Sequence, residues 1–260
     1  MALSSIILVS LSYEDIMKIL VTGIERSGTT FLFSLLHETL ISNLENWHDS
    51  NNAVTVFKPN INHINHWNTP TASDIDDICA HMTRTTDKII TSDNDIVVKC
   101  HDHALRRLFN LFISEEQFNK FIHTFDEIIM TSRSDVFHHA LSFIMWNYSK
   151  QHGDGNMKYV LSDYPHVTIT PVEVTDAMKM IADRTESMER AFERLNIKVT
   201  KIVDFDQIRE SSLEDIMTLL DIESDNEPTL TMAHRAPAFN EFITNYDELK
   251  AMFTGATFDS

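Results

Sequence analysis

Four short apolar runs, each bounded by polar or turn-forming residues, alternate along this chain with longer segments whose apolar positions recur every three or four residues. KILVTG at 18–23 is the first run, and after a polar loop FLFSLLHETLI carries the helical period. The pattern predicts strand, loop, helix. DIVVKC at 95–100 is a second strand of buried type, with helices expected near 73–85 before it and in HALRRLFNLF and EEQFNKFIHTF after it. DEIIMTS at 126–132 is the third strand and leads into DVFHHALSFIMWNYSK, a helix by its spacing. VTDAMKMIADRTESMERAFERL reads as a long amphipathic helix, KVTKIVDF as a fourth strand, LEDIMTLLDI as a further helix and NYDEL as the start of a capped terminal helix. Strands alternating with helices predict an α/β fold of three layers, α/β/α, around a central, mainly parallel sheet covered on both faces. The stretch 43–73 breaks the pattern. It is polar and Asn-rich, holds Pro59 and Pro70, and reads as a long irregular excursion that either shapes a substrate site or is simply solvated.

At 260 residues with 43% apolar composition, the chain is long enough to bury one substantial core. With only 5 Gly and 6 Pro and no Gly-, Ser- or Pro-rich stretch, nothing marks a linker, so 17–260 is expected to be a single domain. Met17 stands directly before the first strand, which leaves 1–16 as an N-terminal extension. That opening is mildly apolar but lacks a basic region and carries Glu14 and Asp15, unlike a signal peptide. No run reaches the roughly 18 uninterrupted apolar residues of a membrane span. The formal charge of −18 opposes general attraction to nucleic acid or to an anionic membrane surface. Any anionic ligand must therefore be captured by local geometry. The two cysteines, Cys79 and Cys100, lie outside any metal-ligand spacing, and a reducing, cytoplasmic setting is expected.

Candidate chemistry gathers at the ends of the predicted strands. Gly23-Ile24-Glu25-Arg26-Ser27-Gly28-Thr29-Thr30 keeps the two-glycine spacing of a phosphate-binding loop, between a strand and a helix. Glycines there let the backbone turn tightly so that successive N–H groups and the helix N-terminus converge on an anion. The alternative is an ordinary turn and helix cap, with Ser27 and Thr29 satisfying backbone N–H groups. The lysine that precedes the Ser/Thr in nucleotide triphosphatases is here Thr29, and the cation sits three positions earlier as Arg26. A magnesium triphosphate is the weaker reading. After the third strand, Arg133 and Ser142, two turns into the next helix, could reach one phosphate, with Ser134 as an alternative at shorter spacing. At the end of the second strand stand Lys99, His101 and His103, where α/β ligands usually lie. The two histidines could share a metal, although spacing indicates no third ligand.

These three segments resemble the motifs of sulfotransferases that use 3′-phosphoadenosine 5′-phosphosulfate (PAPS). Arg26-Ser27-Gly28-Thr29-Thr30 is similar to their 5′-phosphate loop, Arg133 with Ser142 to their 3′-phosphate motif, and Lys99-Cys100-His101 to a strand end whose histidine is the general base. The form of the Arg133 segment is closer to bacterial and phage proteins of trehalose-sulfotransferase type, which use a Glu as base, than to the cytosolic steroid and phenol enzymes. The resemblance implies a fold like that of the P-loop NTPases and transfer of a sulfuryl group to a carbohydrate or small-molecule hydroxyl, with 3′,5′-adenosine bisphosphate (PAP) as product and no required metal. It assigns His101 as base, Arg26 and Lys99 to charge stabilisation, and Glu25, Arg26, Ser27, Gly28, Thr29, Thr30, Arg133, Ser142 and Arg235 to the donor. Arg235 lies in a downstream stretch expected to fold over the donor, with a solvated loop cation as the other reading. Trp47, Phe57 and Trp67 are candidates for an acceptor pocket, and Trp146 for either pocket or core. A kinase or triphosphatase using Asp102 or Asp135 as metal ligand, and a nucleotide-binding protein without turnover, are the competing readings.

Overall fold

In the computed structural model the described residues are 17–40, 96–101, 114–152, 166–222 and 239–254, with scattered residues between 76 and 91. The 1–16 extension, the 43–73 excursion and 223–238, which holds Arg235, lie outside them. So do Asp102, His103, Trp47, Phe57 and Trp67.

Four strands, β1 (Lys18–Gly23), β2 (Ile96–His101), β3 (Glu127–Ser132) and β4 (Lys201–Asp204), form one sheet in the order β2-β1-β3-β4. Every pairing is parallel. Because side chains alternate across a strand, an apolar run in a parallel sheet must feed two cores at once. Leu20, Val98, Ile128 and Met130 point into one cluster, while Ile19, Val21, Val97 and Ile129 point into the other. Ile19, Leu20 and Val21 are fully buried, each contributing about 1.5–3 kcal/mol by leaving water.

Helices α1 (Thr29–Leu40), α5 (Phe205–Glu210) and α6 (Leu213–Leu220) cover one face. The other is covered by α2 (Glu115–Ile122), α3 (Val136–His152), α4 (Pro171–Arg194), α7 (Phe239–Phe242) and α8 (Tyr246–Phe253). The described positions between 76 and 90 that carry regular structure are helical, as the spacing near 73–85 predicts. This is the expected three-layer arrangement. No helix among the described residues is long and apolar enough to cross a membrane. Cys79 and Cys100 both keep their thiols.

Local signals set the helix ends. Ser114 with Gln117, Thr170 with Glu173 and Ser212 with Asp215 each form a reciprocal capping box. The α4 box is reinforced by Pro171 at the first helical position and by Tyr148, whose hydroxyl donates to Glu173 at 2.7 Å. Replacing Thr170 with Ala removes the acceptor for the Glu173 N–H. A loss of about 1 kcal/mol is expected, measurable by urea unfolding.

The terminal helix departs from expectation. Asn245 stands at its N-cap but makes no side-chain cap bond. Its amide is committed elsewhere, accepting from the Ile169 N–H at 3.1 Å and donating to the Ile169 carbonyl at 2.7 Å. With the Val167 to Ile243 bridge, this ties the segment before α4 to the one before α8.

Candidate functional site

The parallel sheet brings all four strand ends to one edge. Gly23 pairs in register with His101 on one side and Thr131 on the other, and Ser132 pairs with Asp204. The sequence-predicted loop therefore leaves the sheet between the other two predicted segments, at the edge where α/β sites form.

Three residues give the loop its shape: Gly23 with φ +150°, Arg26 with φ +69° and Gly28 with φ +88°. The Ser27 N–H and hydroxyl both donate to the Ile24 carbonyl, at 3.1 and 2.7 Å, closing the turn before α1 begins. Ser27 and Thr29 are each 1% exposed, and their hydroxyls meet Thr131 Oγ1 at 2.7 and 3.0 Å beneath the loop. Their side chains support the turn from below. What these two predicted donor ligands can offer an anion is backbone N–H.

Glu25 is likewise turned away. Its carboxylate pairs with Arg184 of α4, and its carbonyl accepts from His139 Nε2 of α3 at 2.9 Å. A carboxylate repels an anionic donor, so this ion pair removes a charge that would oppose binding. Arg26 donates through Nε to Ser142 Oγ at 3.1 Å. The loop tip is thus fastened to α3 and α4 at three points.

From β2, Lys99 is 8% exposed, lies 5.5 Å from the centre of the Phe33 ring, and donates to the Thr30 hydroxyl at 3.1 Å. The predicted cation and the last loop residue are in contact. His101, one alternation further along the same strand, is partly buried beside Gly23 at the sheet edge.

Arg133 lies at the end of β3 with its side chain 2% exposed. It donates through Nε to both oxygens of Asp206, at 3.1 and 3.3 Å, and its guanidinium carbon sits 5.5 Å from the centre of the Phe205 ring. Burial lowers its pKa, opposed by the charges of Asp206 and Asp135. Nη1 and Nη2 have no hydrogen-bond partner among the described residues. Ser142, expected to share a phosphate with Arg133, is bonded to Arg26 instead. The alternative, Ser134, is exposed and donates its N–H to Asp204 at 3.1 Å.

Two sets of side-chain contacts at this edge are not predicted from the sequence, which marks the acidic pair after the fourth strand as structural only. One is the carboxylate pair after β4: Asp204 accepts from the Asp206 and Ser134 N–H groups, and Asp206 accepts from Arg133 and from the Asp135 N–H at 3.2 Å. An Asp-x-Asp at a strand end was the available signal. The other is a chain from Asp135 to His138 Nδ1, and from His138 Nε2 to the Tyr246 hydroxyl at 2.8 Å, with His138 stacked on Phe239. Burial pushes the Asp135 pKa up, but bonds from the His138 N–H and ring and the charge of Arg133 outweigh it, leaving the pKa lowered. The spacing Asp-x-x-His at a helix start was its local signal. No group of three His, Cys, Asp or Glu suited to a metal ion occurs among the described residues. Trp146 is half-buried on α3, with its ring 5.7 Å from that of Phe143.

Comparison with known proteins yields no matching family model and no matching curated relative.

Proposed function

We infer that this chain is a sulfotransferase that transfers a sulfuryl group from PAPS to a hydroxyl of a carbohydrate or small molecule in the cytoplasm. The observation that carries this reading is the Lys99 ammonium at the Thr30 hydroxyl. In a magnesium-dependent triphosphatase the hydroxyl at that loop position faces the metal, and a second cation against it would repel the ion. Here an ammonium stands in that place, supplying the positive charge a monoester phosphate needs without a divalent ion. The loop and α1 would take the 5′-phosphate, and the partnerless edge of Arg133 suits a second one.

In the reaction so read, the acceptor oxygen attacks sulfur, the bond from sulfur to the 5′-phosphate oxygen breaks, and the acceptor proton passes to His101. Lys99 and Arg26 stabilise charge developing on the leaving phosphate. Calorimetric titration of the full chain tests the reading. PAP is expected to bind at least tenfold more tightly than ATP with magnesium; the reverse preference would sink it.

A further inference from the structure

Arg133 is a buried cation held by one nitrogen. The carboxylate that holds it belongs to Asp206, at the start of α5, and Asp204 fixes that turn by accepting the Asp206 N–H at 2.8 Å. Bonding through Nε sets the plane of a guanidinium, because Nε lies within the same conjugated group as the terminal nitrogens. Phe205, the neighbour of Asp206, packs beside the group. Holding the Nε edge leaves Nη1 and Nη2 as the edge still able to grip an oxyanion in bidentate fashion.

On this basis we propose that Asp206 is a positioning residue that aims Arg133 at a second phosphate and thereby sets discrimination between a 3′,5′-bisphosphate and a 5′-monophosphate. The inference rests on reading Arg133 as the residue that meets the second phosphate. Asp206 itself touches Arg133 and the Asp135 backbone, and as an anion would not touch the ligand. Two other roles for the same carboxylate make opposite predictions. A mere counter-charge would weaken phosphate binding electrostatically, so its removal would tighten it. A mere brace for the β3–α3 turn would affect mono- and bisphosphates alike.

The test is calorimetric titration of the full chain with PAP and with 5′-AMP, for the wild type, Arg133→Ala, Asp206→Ala and Asp206→Asn. The wild type is expected to favour PAP about tenfold or more, the increment of one bidentate charged contact, and Arg133→Ala to lose that preference. Asp206→Ala should fall to the Arg133→Ala level while its affinity for 5′-AMP stays within about twofold. Asp206→Asn keeps an oxygen acceptor for Nε and should retain most of the preference. If Asp206→Ala does not fold, Asp206→Leu, which also lacks an acceptor for Nε, decides by the same criteria. Tighter PAP binding by either variant overturns the proposal in favour of a counter-charge. Equal weakening of both ligands overturns it in favour of a brace, and unchanged discrimination by Asp206→Ala overturns it outright. A wild type that does not distinguish the ligands at all would instead overturn the reading of Arg133.

Discussion

Replacing Gly23 with alanine is expected to destabilise the chain by about 3 kcal/mol or more, read as the shift in free energy from urea unfolding followed by circular dichroism. Two contributions add. The φ of +150° lies where L side chains are strained. A methyl group would also overlap Thr131 Oγ1 and come within 2.6 Å of the Thr131 carbonyl oxygen and 2.9 Å of Ser27 Oγ. The carbonyl is backbone, and Thr131 is the register partner of Gly23 in the β1–β3 ladder, so it cannot retreat without opening the sheet. Gly28 meets a softer obstacle, since its added methyl would collide with the Phe205 side chain. A Gly23→Ala chain within about 1 kcal/mol of the wild type would mean that the loop does not leave β1 in this conformation.

The strands were legible because buried parallel strands are short apolar runs with clear ends. β1 occupies the predicted 18–23, β2 begins one residue later than DIVVKC suggests, and β3 one residue later than DEIIMTS. The long helix starts at Pro171 rather than near Val174, because Thr170, Pro171 and Glu173 form a start signal that outranks apolar periodicity. β4 is shorter than KVTKIVDF and α5 was not foreseen. Asp204 ends the strand by turning its carboxylate to the Asp206 N–H, a local bond that hydrophobic pattern does not register.

The loop was legible for a similar reason: its glycines, cation and following helix are all local. Side-chain partners were not. Arg26 and Ser142 are 116 positions apart, and Arg133 and Asp206 are 73 apart, so each pairing depends on how helices rotate against the sheet. Spacing could place Arg133 and Ser142 at one strand end and its following helix. It could not say that Ser142 would turn to Arg26 and leave Arg133 to an aspartate. The placement of cations at one edge was thus available from sequence, whereas the division of labour among them was set by tertiary packing.

Acid should weaken the fold through His139 before most carboxylates titrate. The side chain is 2% exposed, and burial pushes its imidazole down from the usual 6.5 to about 4. The bond to the Glu25 carbonyl opposes that shift, the charge of Arg133 adds to it, Asp206 opposes it and Arg184 adds to it. The unfolded chain takes up this proton near pH 6.5 and the folded chain only near 4, so between those values the unfolded state binds more protons and stability falls as pH falls. The contribution is fully present above about pH 6.5 and gone below about 4, a change on the order of 3 kcal/mol. Subtracting the urea-unfolding profile of His139→Gln from that of the wild type removes the acid response of the remaining groups. A difference that stays flat from pH 7 to 4 would show that the imidazole is not buried neutral. Nε2 can donate to the Glu25 carbonyl whether or not Nδ1 carries a proton, so protonation leaves that contact formed. The loss therefore comes from placing an imidazolium in a dry interior beside Arg133 and Arg184, and it should appear as a change in global stability rather than as release of the loop.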